Sequence, residues 1–424
     1  MTTAIPAGET DTRALGRAFL SARMQGLLKV LVTVWIFSGA FVLIEPSPYE
    51  VTFLAAFAVA LAGGLKLHRD TLPLLALILL FAPFAMIAVF QVRFMDVSDA
   101  LLFTLVTIFL MITSYFAANF VAQSPFSNMR LIGNAYITAA LIASVVGTLA
   151  YLGLLPGEGV FLLYGRAKAF FKDPNVFGPF LILPAMFLLQ RALLGTPRRA
   201  LIGGALYMVL FVGVFVSFSR GAWGHFAASS AMVFFLCFFL EARAQDKVRM
   251  LLLAVGGVMV FAAALMVLLS IDSVAELFVH RFSLTQSYDT GETGRFGRIG
   301  YALDLALSNP WGIGPLEFSF LKIVELPHNT YINVIHAYGW GGALAYFSLV
   351  VWTAWRSVST LSRRSPNRLL LIPVFSTAIP LFMLAGIIDT DHWRHWFLVV
   401  GLVWGITAGY DTITADQRQG RPLI

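Results

Sequence analysis

The sequence predicts an all-α polytopic membrane protein of about twelve transmembrane helices, with a helical loop between spans nine and ten on its outer face. Three observations predict it. Hydrophobic residues make up 59% of the chain and charged residues 12%, with a mean hydropathy of +0.82, which is more apolar surface than a soluble core can hide. Apolar runs recur at lengths that cross a hydrocarbon layer of roughly 30 Å. The cations, finally, are spread unevenly between the segments that join these runs.

In order, the spans fall at residues 26–44, 48–66, 71–91, 99–121, 131–154, 177–194, 200–217, 222–240, 250–271, 329–352, 369–388 and 396–410. The first follows a polar, Arg-containing segment and ends in Glu45-Pro46 without a small-residue cleavage pattern, so a retained span and no removed signal is expected. An even number of spans puts both termini on one side. With that side cytoplasmic, only Arg93, Arg166, Lys168, Lys172, Arg220, Arg281, Arg295, Arg298, Lys322 and Arg394 of the 29 Lys and Arg residues fall outside, the imbalance that the positive-inside rule describes. Residues 1–424 read as a single integral membrane domain, with 272–328 as its long outer loop. The one cysteine, Cys237, lies in an apolar run, so neither a disulfide framework nor a thiolate metal cluster is expected. No phosphate-cradling glycine loop or dinucleotide fingerprint occurs on the inner side, which argues against a nucleotide-sugar substrate. No nucleic-acid partner is expected.

The outer cations cluster. Arg166, Lys168 and Lys172 follow span five, Arg220 stands at the corner of spans seven and eight, and Arg281, Arg295 and Arg298 belong to the long loop. Guanidinium forks at an outer membrane face suit an anionic ligand such as a phosphate; the alternative for each is snorkelling toward lipid phosphates. A buried Arg220 at a tight corner would need a partner or a wet cavity. From Gly294 to Ser308 apolar residues recur with helical spacing at Phe296, Ile299, Ala302, Leu303 and Ala306, and Asn309-Pro310 ends the pattern, so an amphipathic helix on or in the outer interface is expected. Arg295 and Arg298 share a face of it and repel unless an anion lies between them, or unless one pairs with Asp289, Glu292 or Glu317. His328, at the mouth of span ten, feels the positive end of a helix dipole that favours the neutral ring, which makes it the candidate general base; the structural alternative is a helix cap.

Taken together, Arg166 ahead of Asp173-Pro174-Asn175, Ser219-Arg220-Gly221, Gly294-Arg295 leading to Asn309-Pro310-Trp311-Gly312-Ile313-Gly314, and His328-Asn329 at a span's start resemble the O-antigen ligase and O-antigen polymerase superfamily over residues 160 to 400. The resemblance implies a GT-C-like glycosyltransferase of the bacterial inner (cytoplasmic) membrane, working at the periplasmic face on a polyprenyl (undecaprenyl) diphosphate-linked glycan. The acceptor would be a lipid A core sugar for a ligase, or a second lipid-linked repeat for a polymerase. By motif, the family's essential arginines fall on Arg220 and Arg295, its histidine on His328 and a further basic contact on Arg166. Ala169 stands where relatives often have Gly, which leaves the role of Lys168 open.

The inventory supports one chemistry. Arg220 and Arg295, with Arg166 and Arg298, would hold the diphosphate and stabilise it as it leaves, without a metal or other cofactor. His328 would take the proton of an acceptor hydroxyl arriving from the opposite face, which gives inversion at the anomeric carbon. The last outer turn, Asp389-Thr390-Asp391-His392-Trp393-Arg394-His395, offers ligands for a divalent cation. The preferred reading is that one Asp orients an imidazole or an arginine, so that Asn329, Asp389, Asp391, His392 and Arg394 support the site. His336 would lie about 12 Å deeper than His328 and is set aside on that distance; His225 and His280 read as boundary histidines. A transporter of lipid-linked sugar would need polar groups spread through the membrane and an internal repeat, whereas Asn134 and Ser144 are isolated. Between ligase and polymerase, a single outer loop of moderate length favours the ligase.

Overall fold

A computed structural model describes residues 8–63, 65–155, 158–282 and 294–409. Helices dominate: Gly8–Ser38 (α1), Pro48–Gly63 (α2), Leu72–Val89 (α3), Val97–Gln123 (α4), Pro125–Tyr151 (α5) and the single turn Glu158–Phe161 (α6) come first. A two-residue hairpin, Leu162–Leu163 (β1) against Arg166–Ala167 (β2), precedes Pro174–Phe180 (α7), Ile182–Leu194 (α8), Pro197–Val216 (α9), Arg220–Leu236 (α10) and Ala244–Leu269 (α11). Asp272–Phe282 (α12) and Arg295–Ser308 (α13) belong to the long segment between α11 and the next span, and Thr330–Leu361 (α14), Asn367–Leu384 (α15) and Arg394–Ala408 (α16) are the last described helices. Among the described residues nine helices are long and apolar enough to cross a membrane, α7 and α8 counting as one, and α2 and α16 are shorter apolar helices. With α1, every expected span coincides with a helix. The protein is an all-α polytopic membrane protein.

Burial sorts the helices. Short α16 is hidden on nearly every side, with Trp396 and Trp404 fully buried, and it lies on α4 so closely that Gly401 and Gly405 face the carbonyls of Ser114 and Ala118. Small residues permit that approach where lipid gives no hydrophobic incentive for helices to associate. Helix α11 is the opposite case: apolar beyond its first turns, it has Met250 as its buried residue and touches the core through Phe261, Leu265 and Leu268, leaving most of its surface exposed, as a lipid-facing helix would. The isolated polar residues Asn134 and Ser144 are satisfied locally, Asn134 Oδ1 accepting from Arg191 (3.1 Å) and Ser144 Oγ donating to the Val209 carbonyl (2.7 Å).

Span ten is not one continuous helix. α14 breaks at Gly339, whose φ of 70° lies in the left-handed region, and the Asn309 to Gly314 segment docks into the break. Ile313 N donates to the His336 carbonyl (2.8 Å), Gly314 N to the Ala337 carbonyl (3.1 Å), and Trp340 N to the Pro310 carbonyl (2.9 Å). Backbone groups freed by the break are thereby paired, as a membrane interior requires. Gly312 and Gly339 meet backbone to backbone, and a β-carbon on either would strike the other segment.

The amphipathic helix α13 forms over the expected residues, but its apolar face covers protein. Ala302 packs with Ile313, Phe318 and Ile323 in a small second core, and Ala306 is buried beside it while its carbonyl accepts from Trp340 Nε1 (2.9 Å). Among its described side chains, Leu303 and Leu307 are the large apolar residues of α13 left exposed. Glu317, fully buried, closes this unit onto the rest by accepting from Phe94 N and Met95 N (2.9 Å for the latter).

Candidate active site

The residue that caps α14 is Asn329. Its Oδ1 accepts from Tyr331 N (3.1 Å) and Ile332 N (3.2 Å), filling the role that Asn side chains commonly take at helix starts. His328 is therefore released from capping. It follows Pro327 with a φ of 51°, a left-handed conformation that costs a side-chain-bearing residue roughly 1–2 kcal/mol and that is retained mostly at functional positions.

His328 Nδ1 lies 3.0 Å from Asp389 Oδ2. A carboxylate can only accept, so the ring proton sits on Nδ1 and the Nε2 lone pair points away on a half-exposed side chain with no partner among the described residues. Asp389 is held in turn by Asn333, whose Nδ2 donates to the other carboxylate oxygen, while Asn333 Oδ1 accepts from His336 Nε2 (3.3 Å). Burial pushes the Asp389 carboxyl above its ordinary value, against the hydrogen bond from His328 that lowers it. The turn that carries Asp389 is stitched to the start of α14: Thr330 N donates to the Ala385 carbonyl (2.8 Å), Thr330 Oγ1 to the Ile388 carbonyl (2.9 Å), and Thr390 N to Thr330 Oγ1 (2.7 Å). The line His328–Asp389–Asn333–His336 brings back a histidine that depth alone had set aside. Asn333 lies one helical turn past Asn329, and no spacing rule singled it out.

A second cluster gathers the motifs that precede it. The β1–β2 hairpin turns through Tyr164 and Gly165, both with positive φ, the geometry that two-residue hairpins favour. It delivers Arg166 into a buried position, where Nε donates to the Ser217 carbonyl (3.0 Å) and a terminal nitrogen to Asn175 Oδ1 (2.8 Å). Asp173 caps α7 by accepting from Asn175 N (2.6 Å), so Asp173-Pro174-Asn175 builds the acceptor that fixes Arg166. Phe218, with a φ of 45°, bends the chain between Ser217 and Ser219, and Ser219 caps α10, whose first residue is the half-buried Arg220. Ala169 takes a φ of 46°, a conformation that glycine adopts at less cost. Gly221 lies against Leu384, one residue before the carbonyl that receives Thr330 N, with an added β-carbon falling 2.7 Å from Leu384 Cδ1. Arg220 and His328 thus stand at the same end of the bundle, each next to a residue that touches the end of α15.

The remaining cations divide. Arg298 is buried, with a terminal nitrogen 2.5 Å from Glu325 and the other donating to the Leu326 carbonyl (3.4 Å). Among the described residues its ion-pair partner is Glu325, a residue not considered from sequence, while Asp289 and Glu292 lie outside the described residues and Glu317 is engaged by Phe94 N and Met95 N; the contact to Glu325 braces the segment that ends at His328. Arg295 opens α13 behind Gly294, and its side chain lies outside the described residues, as do those of His280 and Arg281. Lys172 pairs with Glu45 at 2.8 Å, and this hydrogen bond is the main reason the Glu45 carboxyl sits below its ordinary value. Lys168 has no ion pair or side-chain hydrogen bond among the described residues.

The rest of the turn between α15 and α16 does not converge on His328. Arg394 is taken up by Glu50 (2.6 Å) and Glu45 (3.7 Å). His392 turns to α4, its Nε2 3.1 Å from Thr107 Oγ1 and its ring on Phe103, with Asp391 3.6 Å from its Nδ1. His395 is buried against Trp393 and Phe180. Among the described residues no three His, Cys, Asp or Glu side chains come together as metal ligands. Of the five supporting residues, Asp389 and Asn329 adjoin His328, whereas His392 and Arg394 tie the turn to its neighbours and Asp391 lies against His392 within it. His225, near the start of α10, is buried with Nε2 3.0 Å from the Thr377 carbonyl.

Residues 205–347 match the family model described as O-antigen ligase. The match runs from within α9 to within α14, so it takes in Arg220, Arg295, Arg298 and His328 and leaves Arg166 and the Asp389 turn outside. No curated protein matches the chain. By this match the chain is similar to O-antigen ligases, glycosyltransferase-like enzymes whose substrates are in general lipid-linked glycans.

Proposed function

We propose that this multi-pass membrane protein transfers a glycan from a polyprenyl diphosphate donor to an acceptor hydroxyl at the periplasmic face of the bacterial inner membrane, in the manner of an O-antigen ligase. The observation that carries the reading is the His328–Asp389 pair. A carboxylate on Nδ1 fixes the tautomer, leaves Nε2 free to accept a proton from an incoming hydroxyl, and stabilises the imidazolium that results. The ring stands at the end of the bundle where Arg220 begins α10, beside the loop that carries Arg295.

In this mechanism Arg220 and Arg295 hold the donor diphosphate and spread its charge as the anomeric C–O bond breaks. The acceptor oxygen attacks from the face opposite the leaving diphosphate, so the anomeric configuration inverts. Its proton passes to His328 Nε2. Arg166 and Arg298 act by position, Arg166 fixing the loop beside Ser217 and Arg298 the approach to His328. Arginines alone neutralise the leaving group, and no metal takes part.

The test is transfer by the purified protein from a lipid-linked glycan, with donor binding measured in parallel. His328→Ala should abolish transfer and retain donor binding, and excess chelator should leave wild-type turnover intact. Loss of donor binding equal to the loss of turnover would remove His328 from the base role. Abolition by chelator with rescue by magnesium would replace the arginine-only mechanism. The acceptor decides between ligation to lipid A core and polymerisation of a second lipid-linked repeat, and offering each separately to the same preparation distinguishes them.

A further inference from the structure

At the opposite end of α4 from the candidate active site lies a cavity of about 450 Å³, walled by α1, α2, the 65–68 turn and the junction of α4 with α5. Phe103 of α4 touches His392, and Gln123, twenty residues on, lines the cavity. At a rise of 1.5 Å per residue the two are about 30 Å apart, one hydrocarbon thickness.

The lining combines cationic and apolar residues. Lys29 from α1 and Lys66 from the turn enter with His68, and neither lysine has an ion pair or side-chain hydrogen bond among the described residues. Among the described residues no carboxylate lines the cavity. Leu28, Val59 and Phe120 supply the apolar wall. The turn is preorganised: His68 N donates to Asn119 Oδ1 (2.7 Å), Thr71 Oγ1 to the same oxygen (3.0 Å), and Gln123 Nε2 to the Lys66 carbonyl (3.3 Å). Asn128, also in the lining, donates its Nδ2 to the Phe120 carbonyl (2.6 Å), which leaves its buried Oδ1 an acceptor without a donor.

We propose that this cavity binds the head group of an anionic phospholipid, with the phosphodiester between Lys29 and Lys66, a head-group hydroxyl toward Asn128 and the first methylenes of the acyl chains along the apolar wall. A volume of this size lies in the roughly 300–1,000 Å³ range of small-molecule sites. Basic pockets between spans attract anionic lipid in the leaflet where such lipid is enriched, and the charge distribution assigns this end to the inner leaflet. A lipid there would clamp α1 and α2 to the α4–α5 junction. The proposal does not depend on the transferase reading.

The experiment is native mass spectrometry of the full chain from neutral detergent, titrated with phosphatidylglycerol, with phosphatidylcholine of the same chains, or with inorganic phosphate. The expected result is one phosphatidylglycerol retained in preference to phosphatidylcholine. Its affinity should fall at least about tenfold in Lys29→Gln/Lys66→Gln and persist in Lys29→Arg/Lys66→Arg. Equal retention of phosphatidylcholine, undiminished phosphatidylglycerol binding in the Gln variant, or displacement of the lipid by inorganic phosphate would each overturn it. Should the Gln variant fail to fold, the comparison of lipids on the wild type and the Arg variant decides alone.

Discussion

Replacing Asp389 by Asn keeps the side-chain size and an amide oxygen within reach of His328 Nδ1, but it removes the negative charge that the ring faces as it takes a proton. The contact is one hydrogen bond of 3.0 Å to a half-exposed ring. A hydrogen bond to a charged group contributes about 1.5–3 kcal/mol and a neutral one about 0.5–1.5 kcal/mol, so the change costs about 1–2 kcal/mol. At about 1.4 kcal/mol per decade, turnover falls roughly five- to thirtyfold. Solvent at the exposed ring keeps the loss below the roughly 4 kcal/mol that Coulomb's law gives for unit charges 4 Å apart at an effective dielectric of 20. Stability should move the other way. Burial raises the Asp389 carboxyl above its ordinary value, so the folded protein holds this proton more tightly than the unfolded chain. The contribution of Asp389 to stability is therefore largest below the ordinary carboxylate range and declines as pH rises through its raised value. At neutral pH the ionised group is a net cost, and Asp389→Asn should keep or raise Tm while kcat drops and donor KM holds. The assay is kcat, KM and Tm on one preparation. Turnover within twofold of wild type, or a fall in Tm large enough to account for the lost activity, would refute the reasoning.

Asn333→Ala removes a hydrogen bond that lowers the Asp389 pKa, so the acid limb of the activity profile should move to higher pH; a profile that only scales down would make Asn333 structural. Arg220→Ala and Arg295→Ala should each cut turnover at least about a hundredfold and the pair together less than the product, because one ligand is shared; multiplicative losses would assign them separate ligands. Arg394→Gln, which breaks the contacts to Glu50 and Glu45, should lower Tm by several degrees and leave the kcat of the folded fraction within a few-fold of wild type. Gly312→Ala drives a β-carbon into the Ala337 carbonyl and should destabilise by about 3 kcal/mol or more, seen as a loss of folded protein in a detergent melting curve.

What the sequence determined by itself were the features set by periodicity and partition. Twelve apolar runs had to become twelve helices, because a bilayer leaves the backbone no other way to pair its own polar groups, and the spacing from Gly294 to Ser308 gave a helix over those residues. The motifs also marked His328 and Arg220, since polar chemistry at the mouth of a span is rare enough to stand out. Tertiary structure alone decided the partners. Arg166, Arg298 and Arg394 are alike as letters, yet a carbonyl, a glutamate at 325 and glutamates more than 340 residues away on α2 and before it occupy them. Sequence spacing reaches neighbours three or four apart on one helix and cannot see contacts between spans. The break at Gly339 escaped for a related reason: a glycine inside an apolar run looks like any packing glycine until the Asn309 to Gly314 segment arrives to pair the groups it frees. The Asp389–Asn333–His336 line was invisible because Asp389 sits on a different element from Asn333 and His336, and only the fold of α14 against the α15–α16 turn makes them one chain of hydrogen bonds.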